Sequence, residues 1–156
     1  MAADLARKLG IDAGDAVALL AAPRGWRIGG LPQGVVLRRG ARGTLDVIVA
    51  FFERRAQLER RLPVLSGTLR ADGSLWLAWP RKAAGHVSDI SENALREIVL
   101  PAGLVDTKVA ALDEDWSALK FVWRRELRAN LPRGQLAFRS RVGKGKGRRS
   151  SEYPDG

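Results

Sequence analysis

Asp15-Ala16-Val17-Ala18-Leu19-Leu20-Ala21 is the stretch on which the fold turns. It is an apolar run with no polar alternation, closed by Pro23 and Gly25. A run of that kind suits a strand covered on both faces, as in a parallel sheet. Two more strands follow. Val35-Val36-Leu37-Arg38-Arg39 lies between Gly34 and Gly40, and Leu45-Asp46-Val47-Ile48-Val49-Ala50-Phe51-Phe52 is the strongest strand signal in the chain. Residues 53–69 then change period. Leu58, Leu62, Leu65 and Leu69 fall at spacings of four, three and four, which makes one helical stripe. Pro63 inside that stripe is expected to kink or divide the helix.

The rest of the chain continues the alternation. Asp72-Gly73 reads as a turn, and Ser74-Leu75-Trp76-Leu77-Ala78-Trp79-Pro80 as a strand ended by its proline. Ser91 can cap a helix running to residue 101 or 102, with Leu95, Ile98 and Val99 inward and Gly103 at its end. Residues 105–112 and 118–124 read as strands around Asp113-Glu114-Asp115-Trp116-Ser117. So short a connection predicts an antiparallel hairpin. Upstream, residues 2–9 form a short helix, with Leu5 and Leu9 on one face and Gly10 as its stop. Strands alternating with helices, then a hairpin, predict an α/β fold: a mostly parallel sheet with an antiparallel C-terminal element.

Composition narrows the function. A chain of 156 residues supports one domain and needs no covalent staple. With no cysteine, disulfides, thiolate zinc sites and cysteine nucleophiles are excluded. The N-terminus has no signal-peptide core, and no apolar run approaches the roughly 18 residues of a membrane helix, so a cytoplasmic protein is expected. The net charge of +10 is uneven. Residues 124–156 hold 10 Lys/Arg against 3 Asp/Glu, while residues 1–123 hold 17 against 14. The expected division is an α/β domain over residues 1–126 and a basic, low-complexity, disordered tail over 127–156. The tail cations Arg141, Lys144, Lys146, Arg148 and Arg149 suit weak, sequence-independent contact with nucleic-acid phosphates.

The element order resembles a class I S-adenosylmethionine-dependent methyltransferase fold with elements missing, a Rossmann-like three-layer sandwich. The words resemble an uncharacterised bacterial family of short proteins, a domain-of-unknown-function group. They are Leu9-Gly10-Ile11 with Val17-Ala18-Leu19-Leu20-Ala21-Ala22-Pro23, then the stretch from Asp72 to Lys82, then Gly103-Leu104-Val105-Asp106-Thr107-Lys108-Val109 leading to Asp113-Glu114-Asp115-Trp116 and on to Val122. This resemblance implies a fold and no activity. The methyltransferase resemblance implies a glycine-rich loop after the first strand, where Ala21-Ala22-Pro23-Arg24-Gly25 stands. It also implies an acidic residue at the end of the second strand, where Leu37-Arg38-Arg39 stands.

Ligands of open α/β sheets bind beyond the carboxyl ends of the strands. That rule gathers Pro23, Arg24, Gly25, Trp79, Arg81, Lys82 and Trp116 as ligand-binding candidates, with one cleft shared by Arg24, Trp79 and Lys82. A tryptophan beside cations suits a nucleotide or another planar anion. Asp113-Glu114-Asp115 reads as a solvated turn or as a carboxylate group for acid–base or metal chemistry. Glu53 is placed to favour the start of the helix after it. His86, the single histidine, has no acylation nucleophile near it in sequence and reads as a loop residue. The expectation is a non-catalytic binding or regulatory module with an anionic-ligand pocket, no cofactor and no metal. One alternative is a methyltransferase-like enzyme using S-adenosylmethionine. Another is a nucleic-acid-associated protein acting through its tail.

Overall fold

The computed structural model describes residues 4–82 and 87–136. Six strands form one sheet: β1 (Ala16–Leu20), β2 (Val36–Arg38), β3 (Leu45–Phe51), β4 (Leu69–Pro80), β5 (Leu104–Ala111) and β6 (Trp116–Trp123). Their order across the sheet is β2-β1-β3-β4-β6-β5. The first three pairings are parallel, and β4–β6 and β6–β5 are antiparallel. The hairpin after residue 103 thus returns beside the strand of residues 74–80, as expected. The unbroken run of β1 is paired on both edges, with β3 and β4 at the centre of the sheet.

Both sheet faces are covered, which makes three layers. On one face Ile48, Ala50, Leu75, Leu77, Leu119 and Phe121 pack under α2 (Arg55–Thr68) and α3 (Glu92–Val99). On the other, Val17, Leu19, Val47, Val49, Trp76 and Trp116 pack under α1 (Leu5–Lys8) and the loop that carries Ile28. This second layer is thin, since α1 has four residues and the crossover 21–35 holds no helix. Buried Trp76 anchors it by donating from Nε1 to the Leu9 carbonyl at 3.1 Å. Full burial of a large apolar side chain contributes about 1.5–3 kcal/mol, so the two cores carry most of the stability.

Four local expectations change. Pro63 does not divide the helix: α2 runs unbroken through it. Asp72-Gly73 is not a turn but lies inside β4, where the pairing with β3 jumps from Leu45↔Leu69 to Val47↔Ser74. Four residues of β4, 70–73, stand opposite the single Asp46 of β3 there, and the chain absorbs the surplus as a bulge. A Cβ on Gly73 would lie 2.8 Å from the Asp46 carbonyl oxygen and 2.9 Å from Leu69 Cδ1, so the bulge requires glycine. Glu53 is not what meets the start of α2. Asp89, from the segment after β4, accepts from the Arg55 amide at 2.8 Å.

The fourth change concerns the boundary drawn after Glu126. The chain continues through a 3-10 segment (Arg125–Asn130) and α4 (Arg133–Leu136). Gln135 is buried, and its Nε2 donates to the carbonyls of Leu69 at 2.7 Å and Ser66 at 2.9 Å. Thr44 donates to the Gly134 carbonyl at 3.3 Å. The folded body therefore reaches Leu136. The tail cations Arg141, Lys144, Lys146, Arg148 and Arg149 lie outside the described residues, as does His86. No described helix is long and apolar enough to cross a membrane.

Candidate functional site

The carboxyl ends of the parallel strands open into two clefts, one on each face of the sheet. The first, about 450 Å³, lies beyond β1 and β2. The loop after β1 supplies Ala22, Pro23, Arg24, Gly25, Trp26, Arg27 and Ile28, and the opposite wall is Leu31, Leu37 and Arg39 over Leu19. Its entry is set by Ala21, with φ 58°, the one non-glycine described residue in the left-handed region. Such a conformation costs an alanine about 1–2 kcal/mol and marks a backbone held for a purpose. Gly25, with φ 76°, completes the turn.

The second cleft, about 760 Å³, lies on the α2–α3 face, where Ile90 belongs to the core and Trp79 packs against it. Arg81, Lys82, Ser88, Ser91, Asn93, Arg96 and Ser117 line it. Its polar groups are largely committed. Ser91 Oγ caps α3 by accepting from the Ala94 amide at 3.1 Å. Ser88 Oγ donates to the Glu53 carbonyl at 2.8 Å. Arg96 donates to Asp106 at 3.0 Å and to Glu92 at 2.9 Å, and these two carboxylates, Asp106 first, hold its pKa above the ordinary arginine value.

The expected common cleft is therefore corrected. Pro23, Arg24 and Gly25 line the first cleft, and Trp79, Arg81 and Lys82 the second, with the sheet between them. β1 and β4 run parallel with β3 between them, but the loops after them fold to opposite faces. Trp116 lines neither cleft. It stacks edge-on against Phe51 at 4.9 Å, and Phe51 stacks likewise on Trp26 at 4.9 Å. Trp26 Nε1 donates to Asp113 Oδ2 at 2.9 Å, which ties the first cleft's loop to the β5–β6 turn. Asp113 Oδ1 accepts from the amides of Asp115 and Trp116 at 2.7 and 2.9 Å. Both oxygens of Asp113 thus serve the turn and the loop, and no metal-ligating group of three or more such side chains occurs among the described residues.

Trp26, Arg27, Leu31 and Leu37 were not legible as cleft residues in the sequence. The usable signal was the tryptophan directly after Gly25, at the mouth of an apolar strand. Leu37 and Leu31 are exposed apolar residues, which only the placement of β2 at the sheet edge brings to the cleft.

Solved structures share this fold. The fold is similar to that of a ribosomal-protein methylase from Lactobacillus delbrueckii subsp. bulgaricus, with a TM-score of 0.51 and 12% identity over 76% of this chain and 74% of that one. It is similar to TrmN from Thermus thermophilus, with a TM-score of 0.51 and 11% identity, over 79% of this chain and 48% of that one. It is also similar to magnesium protoporphyrin IX methyltransferase from Synechocystis PCC 6803 with bound SAM, with a TM-score of 0.50 and 10% identity, over 77% and 74%. The chain thus spans about half the length of TrmN and about three quarters of the other two. No family model matches the chain, and no curated protein sequence does. The likeness shows a Rossmann-like methyltransferase fold. It also corrects the expectation of a non-catalytic module: a ribosomal-protein methylase and magnesium protoporphyrin IX methyltransferase with bound SAM are among the solved structures with this fold, and they favour the methyltransferase alternative.

Proposed function

We propose that this chain is an S-adenosylmethionine-dependent methyltransferase-like enzyme whose methyl donor lies in the first cleft. The observation that carries this reading is the cleft's position beyond β1 and β2, entered by a backbone in the conformation a glycine loop would take. The position is the one where doubly wound sheets bind nucleoside ligands.

The residues present fit the donor. Leu19, Ile28 and Leu37 offer apolar walls to an adenine ring, and Trp26 offers an aromatic surface beside them. Arg24 can pair bidentately with the methionyl carboxylate. Arg39 stands where a carboxylate would accept from the ribose; a guanidinium there can only donate to the hydroxyl oxygens. When bound, the donor supplies a methyl group on a sulfonium, which an acceptor lone pair takes while the thioether leaves. Among the described residues, no Asp, Glu, His or Tyr lines the cleft. The chain's part is accordingly to bind, orient and exclude water, and the acceptor must bring its own lone pair.

The test is a titration of the full-length protein with S-adenosylmethionine, followed by thermal melting. A ligand of the native state stabilises by about 2.7 kcal/mol at a hundredfold excess over Kd. Stabilisation in the wild type, and its loss in Leu37→Asp under conditions where that variant still melts cooperatively, supports the reading. A melting curve unmoved at millimolar ligand overturns it.

A further inference from the structure

We infer that the acceptor carries a phosphate, held by arginines of the first cleft beside the donor; this rests on the methyltransferase reading. Arg24 and Arg27 approach from the loop after β1, and Arg39 from the first position beyond β2. All three are exposed, and among the described residues no carboxylate lines the cleft with them. Three other arginines are ion-paired: Arg70 with Asp46 at 2.8 Å, Arg96 with Asp106 at 3.0 Å, Arg55 with Glu97 at 3.1 Å.

Three guanidiniums facing one cavity repel one another. The donor alone does not account for them. It offers one carboxylate, which a single guanidinium satisfies, and its ammonium and sulfonium add positive charge. Two cations remain. A phosphate presents several acceptor oxygens at once and matches planar guanidinium forks. The fit is to a nucleotide or to a phosphodiester of a nucleic acid.

The experiment measures binding by melting shift and tryptophan fluorescence in the full-length protein at low ionic strength. Its probes are adenosine, adenosine 5′-monophosphate, a short fluorescent oligoribonucleotide and S-adenosylmethionine. The cleft variant is Arg27→Gln with Arg39→Gln. The control is Arg60→Gln with Arg61→Gln, two exposed positions on α2 with the same change in charge. The expected result is preference for the monophosphate over adenosine, with about a tenfold loss in the cleft variant, or about 1.4 kcal/mol, and little change in the control. An equal loss with the oligoribonucleotide identifies the phosphodiester source; a loss confined to the monophosphate identifies the free nucleotide. Equal losses in cleft variant and control, or no phosphate binding, overturn the inference even if S-adenosylmethionine binds. Phosphate discrimination without S-adenosylmethionine binding overturns the methyltransferase reading and leaves the arginine site.

Discussion

Lys120 shows how one residue can work against its fold. It stands on β6 directly across from Lys108 on β5, on the sheet face of Trp76, with its ammonium 5.9 Å from that ring. Burial, and after it the charge of Lys108, lower its pKa below the ordinary lysine value. A lysine with a lowered folded pKa is penalised while protonated. The penalty is present in full below the folded pKa. It fades as pH rises through the folded pKa towards the unfolded value of about 10.4, so stability from this residue increases with pH there. Replacing Lys108 should remove the like-charge part. Lys108→Thr is expected to stabilise the protein by about 0.2–1 kcal/mol at pH 7 in urea titration, with the gain vanishing at a pH above the ordinary lysine value.

At the scale of elements, the helices show which ends were decided locally. Helix α3 carries its own signals: Ser91 caps it, Glu92 lies in its first turn, and Gly103, with φ 101°, ends the 3-10 turn that follows. The cap and the closing glycine were legible. Helix α2 lacks a side-chain cap of its own and takes Asp89 from 34 positions away, which no local reading could supply. It also tolerates Pro63 within its 14 residues, because the proline is exposed and the inward stripe of Leu58, Leu62 and Leu65 is buried on the sheet. An interior proline forgoes one backbone hydrogen bond and costs a helix about 3 kcal/mol, so tertiary packing is overriding propensity here. Pro63→Ala should raise stability by about 1–3 kcal/mol, read as an upward shift of the melting temperature.

The whole molecule depends on a segment that composition assigned to the tail. Residues 125–136 return under the amino ends of β3 and β4, and Gln135 satisfies the carbonyl oxygens of Ser66 and Leu69 where α2 gives way to β4. A chain ending at residue 136 should therefore melt well above a chain ending at residue 126. Gln135→Ala should reproduce about 1–3 kcal/mol of that difference, since the Ser66 carbonyl loses this donor and the Leu69 carbonyl keeps only Trp123 Nε1 at 3.3 Å. Equal melting of the two truncations would show that the segment contributes nothing.

The sequence by itself determined the order and type of nearly every strand and helix and the antiparallel hairpin. These follow from apolar runs, caps and short turns, all set by neighbours within a few residues. It also showed that the strand ends carry cations where the methyltransferase fold carries glycine and acid. Only the tertiary structure decided that Arg24 and Lys82 open on opposite faces, that Trp26 is held by Asp113 across 87 positions, and that Arg39 joins Arg24 and Arg27 in one cleft. Loop direction and strand adjacency depend on which faces remain uncovered after the sheet forms, and that is a property of the assembled layers.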